Sequence, residues 1–449
     1  MELSDYLLTP FYLGFFYAIA YAIRPAVTNK YTKQYFIPAF SAKIVGGLAL
    51  GILYHTIYAG DTNNYFHHAS IIYDAFGKSF SAGLHLIYTD GTLTPDIAPY
   101  ASQMGWFGAD SKEYFVIRVA AVFAILGFNT YMVTTVCFAV LSFSGMWVMY
   151  ITFAKIRPQV YKELAIAVFF LPSVFFWGSG LLKDSLCIGS LGWLFYAFYR
   201  GAIEKKNILR CLIVGVLAAK VIASMKVYIL LAFVPPSALW VFNENTERIK
   251  SGAVRMVARP LFLVIGMTVA IYAMSSIAAA DARFNIEKIG AQSKLTADYL
   301  QGVSKQENGS GYNIGEQDGT LGGMAKLAPQ AIVVALFRPF IWEARNPTMA
   351  LSALEASYFF IFTLRIFWRV GFFKALRAIA SSHILTLCFI FSLIFAISVG
   401  ISSGNFGTLV RYKIPLMPFY LAGLYILSDI TQSATARKKM SVRARPQLA

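Results

Sequence analysis

The sequence predicts an all-α polytopic membrane bundle, and three observations predict it. Of the 449 residues, 57% are hydrophobic and only 14% are charged, where a soluble domain carries roughly a quarter charged residues. The mean hydropathy is +0.59. Apolar windows run well past ten residues without strand-like alternation. That favours helices over a barrel, because a lipid-exposed backbone must satisfy its polar groups within the helix or a closed sheet.

Taken in order, the first apolar stretch, 7–23, lacks a basic n-region and a small-residue cleavage site, so it reads as a span and not as a signal peptide. Further spans are expected at 36–58, 130–154, 164–180, 185–200, 208–224, 227–243, 260–280, 350–369, 380–400 and 414–430, about eleven in all. The stretches 113–128 and 327–343 are short or interrupted, the first by Arg118 and the second by Pro329, Arg338 and Pro339. Both are expected to be re-entrant or interfacial helices. Cys137, Cys187, Cys211 and Cys388 all fall in apolar segments and read as small hydrophobes, not as a disulfide framework or metal site. The whole chain, 1–449, is expected to form one integral membrane domain.

Charge then orients the bundle. With the N-terminus outside, the short inner loops and the basic cytoplasmic tail 431–449 hold 22 of the 39 lysines and arginines, as the positive-inside rule requires. The net charge of +17 therefore reflects topology and attraction to anionic membrane lipids. No soluble basic domain exists to take a nucleic-acid partner. Two large outer loops remain, 59–129 and 281–349. The second holds Asn308-Gly309-Ser310-Gly311-Tyr312 and further glycines, which fits either a mobile lid or a plain connector. The lack of an internal repeat weakens a transporter built on duplicated halves.

Within the outer loops, Asp61 comes directly after an apolar segment, in Gly60-Asp61-Thr62-Asn63-Asn64-Tyr65-Phe66-His67-His68. A carboxylate at a membrane exit is placed either to act as a base or to cap the next helix. Cations also gather on this side: Lys183 beside Asp184, Arg338 and Arg345 around Trp342-Glu343, and Arg411-Tyr412-Lys413. Ionisable groups at membrane depth are costly and mark charged ligands or polar interiors, and a guanidinium fork suits a phosphate. Each has a structural alternative: Asp184 as a helix cap with Lys183 snorkelling, Arg345 paired with Glu343 or Glu355, Arg411 and Lys413 as headgroup anchors. His67-His68, with His85, leave a divalent metal open but lack a spaced ligand motif, so no cofactor and no metal ligand is assigned.

Three segments resemble the glycosyltransferase C superfamily, multispanning enzymes that use polyprenyl-phosphate-linked sugars. Gly60-Asp61-Thr62 is similar to that superfamily's aspartate loop, Phe115-Val116-Ile117-Arg118-Val119 to the segment after it, and Arg411-Tyr412-Lys413-Ile414-Pro415-Leu416-Met417-Pro418 to the run before a late span. The turn Phe175-Phe176-Trp177-Gly178-Ser179-Gly180-Leu181-Leu182-Lys183-Asp184 also looks like membrane proteins of bacterial envelope polysaccharide synthesis. The resemblance implies an inverting sugar transfer on the outer face of a bacterial inner membrane, from a polyprenyl-phosphate-linked sugar to a glycan or lipid-linked acceptor. Asp61 would be the general base. Arg411, Lys413, Arg338, Lys183, Arg345 and Tyr412 would bind the lipid phosphate, and Tyr65, His67, His68, Trp342 and Glu343 would touch acceptor or sugar. A polymerase of lipid-linked repeat units and a non-catalytic flippase or transporter of lipid-linked saccharide are the alternatives.

Overall fold

In a computed structural model of the protein, the described residues are 2–58, 60–108, 111–247, 289–306, 310–315, 318–345 and 347–443. The first half holds α1 (Leu3–Val27), α2 (Lys33–Thr56), α3 (Asp61–Lys78), α4 (Phe80–Tyr88), α5 (Ala98–Ala101), α6 (Ser111–Leu126), α7 (Tyr131–Ile156), α8 (Tyr161–Phe169), α9 (Pro172–Trp177), α10 (Lys183–Phe198) and α11 (Ile208–Glu247). The second holds α12 (Ile289–Gln306), α13 (Leu321–Phe337), α14 (Pro347–Val370), α15 (Phe372–Ser381), α16 (His383–Ser402), α17 (Phe406–Tyr412) and α18 (Leu416–Arg443). The protein is an all-helical polytopic membrane protein.

The expectation of about eleven spans is corrected. Among the described residues seven helices are long and apolar enough to cross a membrane: α1, α2, α7, α10 with its π-turn extension to Ile203, α11, α14 and α16. An eighth is added if α17 and α18, bent by 65° at a short break, form one span. The segment 164–180 is instead split into α8 and α9, of 9 and 6 residues, because Pro172 has no N–H to continue the hydrogen-bond ladder. The segments 208–224 and 227–243 belong to one helical run, α11, with non-helical backbone at Lys226 (φ −139°, ψ 71°). The segment 414–430 falls in the bent pair, and 260–280 lies outside the described residues. The stretches 113–128 and 327–343 fall largely on α6 and α13, whose 16 and 17 residues are short for a span.

The chain divides into two compact units. The first comprises 1–151, 173–197 and 209–227. In it α2 and α7 interlock through aromatic edges, Phe36 against Trp147 at 4.7 Å and Phe40 against Phe143 at 5.2 Å. Small residues let backbones approach: a Cβ on Gly145 of α7 would run into the Gly189 carbonyl of α10, and one on Gly192 into the Gly145 carbonyl. Such close small-residue crossings are how membrane helices gain dispersion energy where lipid gives no hydrophobic drive. The segment after α2 folds into α3–α6, with α3 packed along α6 and α4.

The second unit comprises 152–172, 198–208 and 228–449. Here α16 is central, packing on α12, α13, α15 and α18, and α18 also packs on α8 and α14. Phe419 fits between Phe153 and Phe391, at 5.4 and 4.8 Å, and Phe359 stacks on Tyr420. Part of the glycine-rich run is tied down. Tyr312 N–H donates to the Gly404 carbonyl, Phe406 N–H to the Ser310 carbonyl, and the Tyr312 hydroxyl to the Gly400 carbonyl, all at 3.0–3.1 Å. Gly404 sits at φ 65°, a conformation glycine adopts without steric cost.

Candidate functional site

In the first unit the site grows from the junction of α2 and α3. Gly60, extended, takes the N-cap position, so Asp61 is the first helical residue and half-buried. Its carboxylate stands at the positive end of the α3 dipole, where negative charge is favoured. The Asn63 amide ties α3 to the end of α2 by donating to the Tyr54 carbonyl at 2.9 Å, and the Tyr131 hydroxyl reaches Thr62 Oγ1 at 3.0 Å.

One helical turn beyond Asp61, on the same face, Tyr65 is almost wholly buried and donates its phenol to Glu113 Oε2. The other carboxylate oxygen of Glu113 receives the Lys183 ammonium. A carboxylate at the head of α6 thus joins α3 to the head of α10. The Trp106 ring lies 5.3 Å from both the Tyr65 and the His68 rings, giving this junction an aromatic wall. Burial, and then the neighbouring His67, hold the His68 imidazole below the ordinary histidine range. Between α4 and α6, the Arg118 guanidinium donates to the Thr89 carbonyl and the Tyr114 hydroxyl to the Leu86 carbonyl.

His67, by contrast, is exposed and lines a polar cavity of about 470 Å³ with Asp5, His55, Asn63, Ser70, Asn129 and others. Asp5 is buried and accepts from the Met132 N–H at 3.0 Å. His85, read with the His67-His68 pair, is engaged by Asp96 at 2.8 Å. Among the described residues no group of three or more His, Cys, Asp or Glu could hold a metal ion.

Two further cations brace this unit from inside. Lys43, fully buried in α2, donates to the carbonyls of Val174 (3.2 Å) and Gly178 (2.7 Å) at the C-terminal end of α9. The ammonium adds to the Gly178 N–H and the Ser142 hydroxyl, which these carbonyls also accept, and faces the negative end of the helix dipole. Asp184 pairs with Lys226 at 2.5 Å, both buried. Lys226 sits where α11 departs from helical backbone.

The second unit holds its own cluster. Arg338, just past α13, grips Glu343 with two guanidinium nitrogens, Nε at 3.0 Å and Nη2. Its charge lies 5.0 Å from the Phe406 ring centroid and 5.9 Å from those of Tyr312 and Phe340. Burial opposes ionisation of Glu343, but Arg338 and the Phe340 N–H hold its carboxyl below the ordinary glutamate range. Arg338 and Phe340 also line a cavity of about 460 Å³ with Asn313, Gln330 and Val333. Lys413 is buried and donates to the Arg338 carbonyl at 3.3 Å, with Glu355 as its electrostatic neighbour. Arg411 and Tyr412 end α17, both half-buried. Arg345 is exposed just past the turn, and Trp342 is 81% exposed and stacked on Phe340 at 4.8 Å.

The expected phosphate cations therefore separate. Arg338 and Lys413 come together in the second unit, whereas Lys183 belongs to the first with Asp61 and Tyr65. Sequence reasoning missed Trp106, the part of Glu113 as a hub and the pairing of Lys226 with Asp184. Glu113 had one visible signal, its place at the start of an apolar helical run; its partners are 48 and 70 residues away. Comparison of the chain with protein-family models, with curated proteins and with solved structures gives no match.

Proposed function

We propose that the protein is a membrane glycosyltransferase that moves a sugar from a polyprenyl-phosphate-linked donor to a glycan or lipid-linked acceptor, on the outer face of a bacterial inner membrane. The observation that carries this reading is the Glu113 hub: a second carboxylate, at the head of α6, bound by the Lys183 ammonium and by the phenol of Tyr65, which stands one turn along α3 from Asp61. A carboxylate at a helix start, with a carboxylate–ammonium pair bound to the tyrosine one turn on and an aromatic wall beside it, suits hydroxyl activation near a developing phosphate charge. The outer placement rests on the concentration of basic residues in the other loops and the tail.

In the proposed reaction an acceptor hydroxyl attacks the anomeric carbon. Its proton passes to the Asp61 carboxylate while the bond from that carbon to the phosphate oxygen breaks. Polyprenyl phosphate departs with the electron pair and the configuration inverts. Glu113 holds Tyr65 and Lys183 in position, and Lys183 is the cation assigned to the departing charge. General-base help of this kind contributes typically about 10²–10⁴-fold.

The test is transfer by the purified full chain from synthetic polyprenyl-phosphate sugars. Asp61→Asn is expected to lower turnover by at least about 100-fold with little change in thermal stability. Transfer by Asp61→Asn at the wild-type rate removes the base assignment. Absence of transfer with every donor, together with movement of lipid-linked saccharide across vesicles, replaces the enzyme by a flippase. Arg338→Gln and Lys413→Gln test the second unit's cluster separately, as loss of donor affinity.

A further inference from the structure

Near its C-terminal end α14 carries Arg365 and Arg369, one turn apart and therefore on one face. Both are exposed, and neither makes an ion pair or hydrogen bond with another described residue. Arg365 is five residues, about 7.5 Å, inside the helix end at Val370. A guanidinium at that depth in an apolar span is costly unless something charged meets it. The two arginines, with Ile361, Leu364 and Trp368, line a groove of about 510 Å³ whose remaining walls are apolar.

The chain just beyond α14 marks the depth of this groove. Gly371, at φ 84°, lets the chain turn at once into α15. That short helix is amphipathic: Ala375 is buried, Phe372 and Phe373 are exposed, and Lys374 and Arg377 lie on the same helix. Trp368 is 91% exposed beside it. Exposed aromatic rings together with basic side chains are the composition of a helix lying in the headgroup region of a bilayer. A helix of that kind assigns the phosphate level to the α14–α15 turn beside Arg369, with Arg365 one turn deeper and Leu364 and Ile361 toward the acyl region.

We propose that this groove is a binding site for the phosphate headgroup of an anionic membrane phospholipid, held by the Arg365 and Arg369 forks with an acyl chain along Leu364 and Ile361. Guanidinium pairs recognise phosphate through parallel charge-assisted hydrogen bonds, which an ordinary interfacial cation does not require. The Trp368 indole lines the same groove. The alternative is simple snorkelling, in which each arginine reaches the interface without holding any one lipid.

Native mass spectrometry of the full chain, titrated with phosphatidylglycerol or phosphatidylcholine, separates the two. One phosphatidylglycerol is expected to be retained in preference to phosphatidylcholine. Its affinity should fall about fivefold in Arg365→Gln or Arg369→Gln and about 25-fold in the double variant. Equal retention of both lipids by the wild-type chain, or unchanged phosphatidylglycerol affinity in a folded double variant, overturns the proposal. Inorganic phosphate at the lipid's concentration should not displace it; displacement would make this a free-anion site and would also overturn the proposal. A measurement free of arginine variants uses brominated lipids in bilayers. Trp368 quenching, taken as the difference between the wild-type chain and Trp368→Phe, should be greater for brominated phosphatidylglycerol than for brominated phosphatidylcholine at equal low mole fraction. Equal quenching counts against it.

Discussion

Replacing Asp184 by alanine probes the buried ion pair behind the Lys183 junction. Asp184 and Lys226 side chains are 1% and 7% exposed, with 2.5 Å between Oδ1 and Nζ. At an effective dielectric of about 20, two unit charges at that distance attract by about 6–7 kcal/mol. Withdrawing each ion from water costs several kcal/mol, so the intact pair contributes little net stability. Cutting it is another matter, because the buried ammonium then loses the Asp184 carboxylate. Asp184→Ala should therefore destabilise the protein by about 3–5 kcal/mol, whereas Asp184→Leu with Lys226→Met should lie within about 1 kcal/mol of wild type or above it. The assay is thermal unfolding in detergent across the single and double variants, followed by tryptophan fluorescence and read as a coupling between the two sites. A wild-type midpoint for Asp184→Ala, or a double variant as unstable as the single, would refute the reasoning.

Four further outcomes are expected. Lys43→Met should cost about 1–3 kcal/mol, because the Val174 and Gly178 carbonyls each lose a charge-assisted bond while keeping the Gly178 N–H and the Ser142 hydroxyl as donors; unfolding midpoints check it. Gly145→Ala should cost about 1–3 kcal/mol by overpacking against the Gly189 carbonyl, and Gly189→Ala less, since its nearest neighbour is the Ser142 Cα at 3.0 Å; the order of the two midpoints is the test. His68 is depressed in the folded protein, so above the ordinary histidine value both states are neutral and pH has no effect through it. As pH falls through that value toward the folded one, the unfolded chain takes the proton first and stability drops. The midpoint should therefore fall between about pH 7.5 and about pH 5.5, less so in His68→Phe. Glu113→Gln keeps an acceptor for Tyr65 but withdraws the counter-charge of Lys183; transfer should fall at least about tenfold with the fold retained, and an unchanged rate would reduce Glu113 to a strut.

Much of the fold was legible because it is dictated by local composition. Apolar runs bounded by basic residues announce membrane helices wherever they occur, and Gly60-Asp61 announced a helix start that α3 confirms. The number of spans was less legible, since hydropathy does not register backbone breaks. Pro172 divides one apolar run into two short helices, and the kink at Lys226 leaves two runs in one helical element.

By itself, then, the sequence determined a helical membrane protein with carboxylates and cations gathered between its apolar runs. It could not pair them, because pairing depends on which helix ends meet. Only the tertiary structure gave Glu113 to Tyr65 and Lys183, Asp184 to Lys226, and Glu343 to Arg338. The physical reason is separation along the chain. A cap or a snorkelling side chain is decided by neighbours within a turn, whereas the Glu113–Lys183 contact spans 70 residues and exists only because α6 and α10 present their first turns to one another.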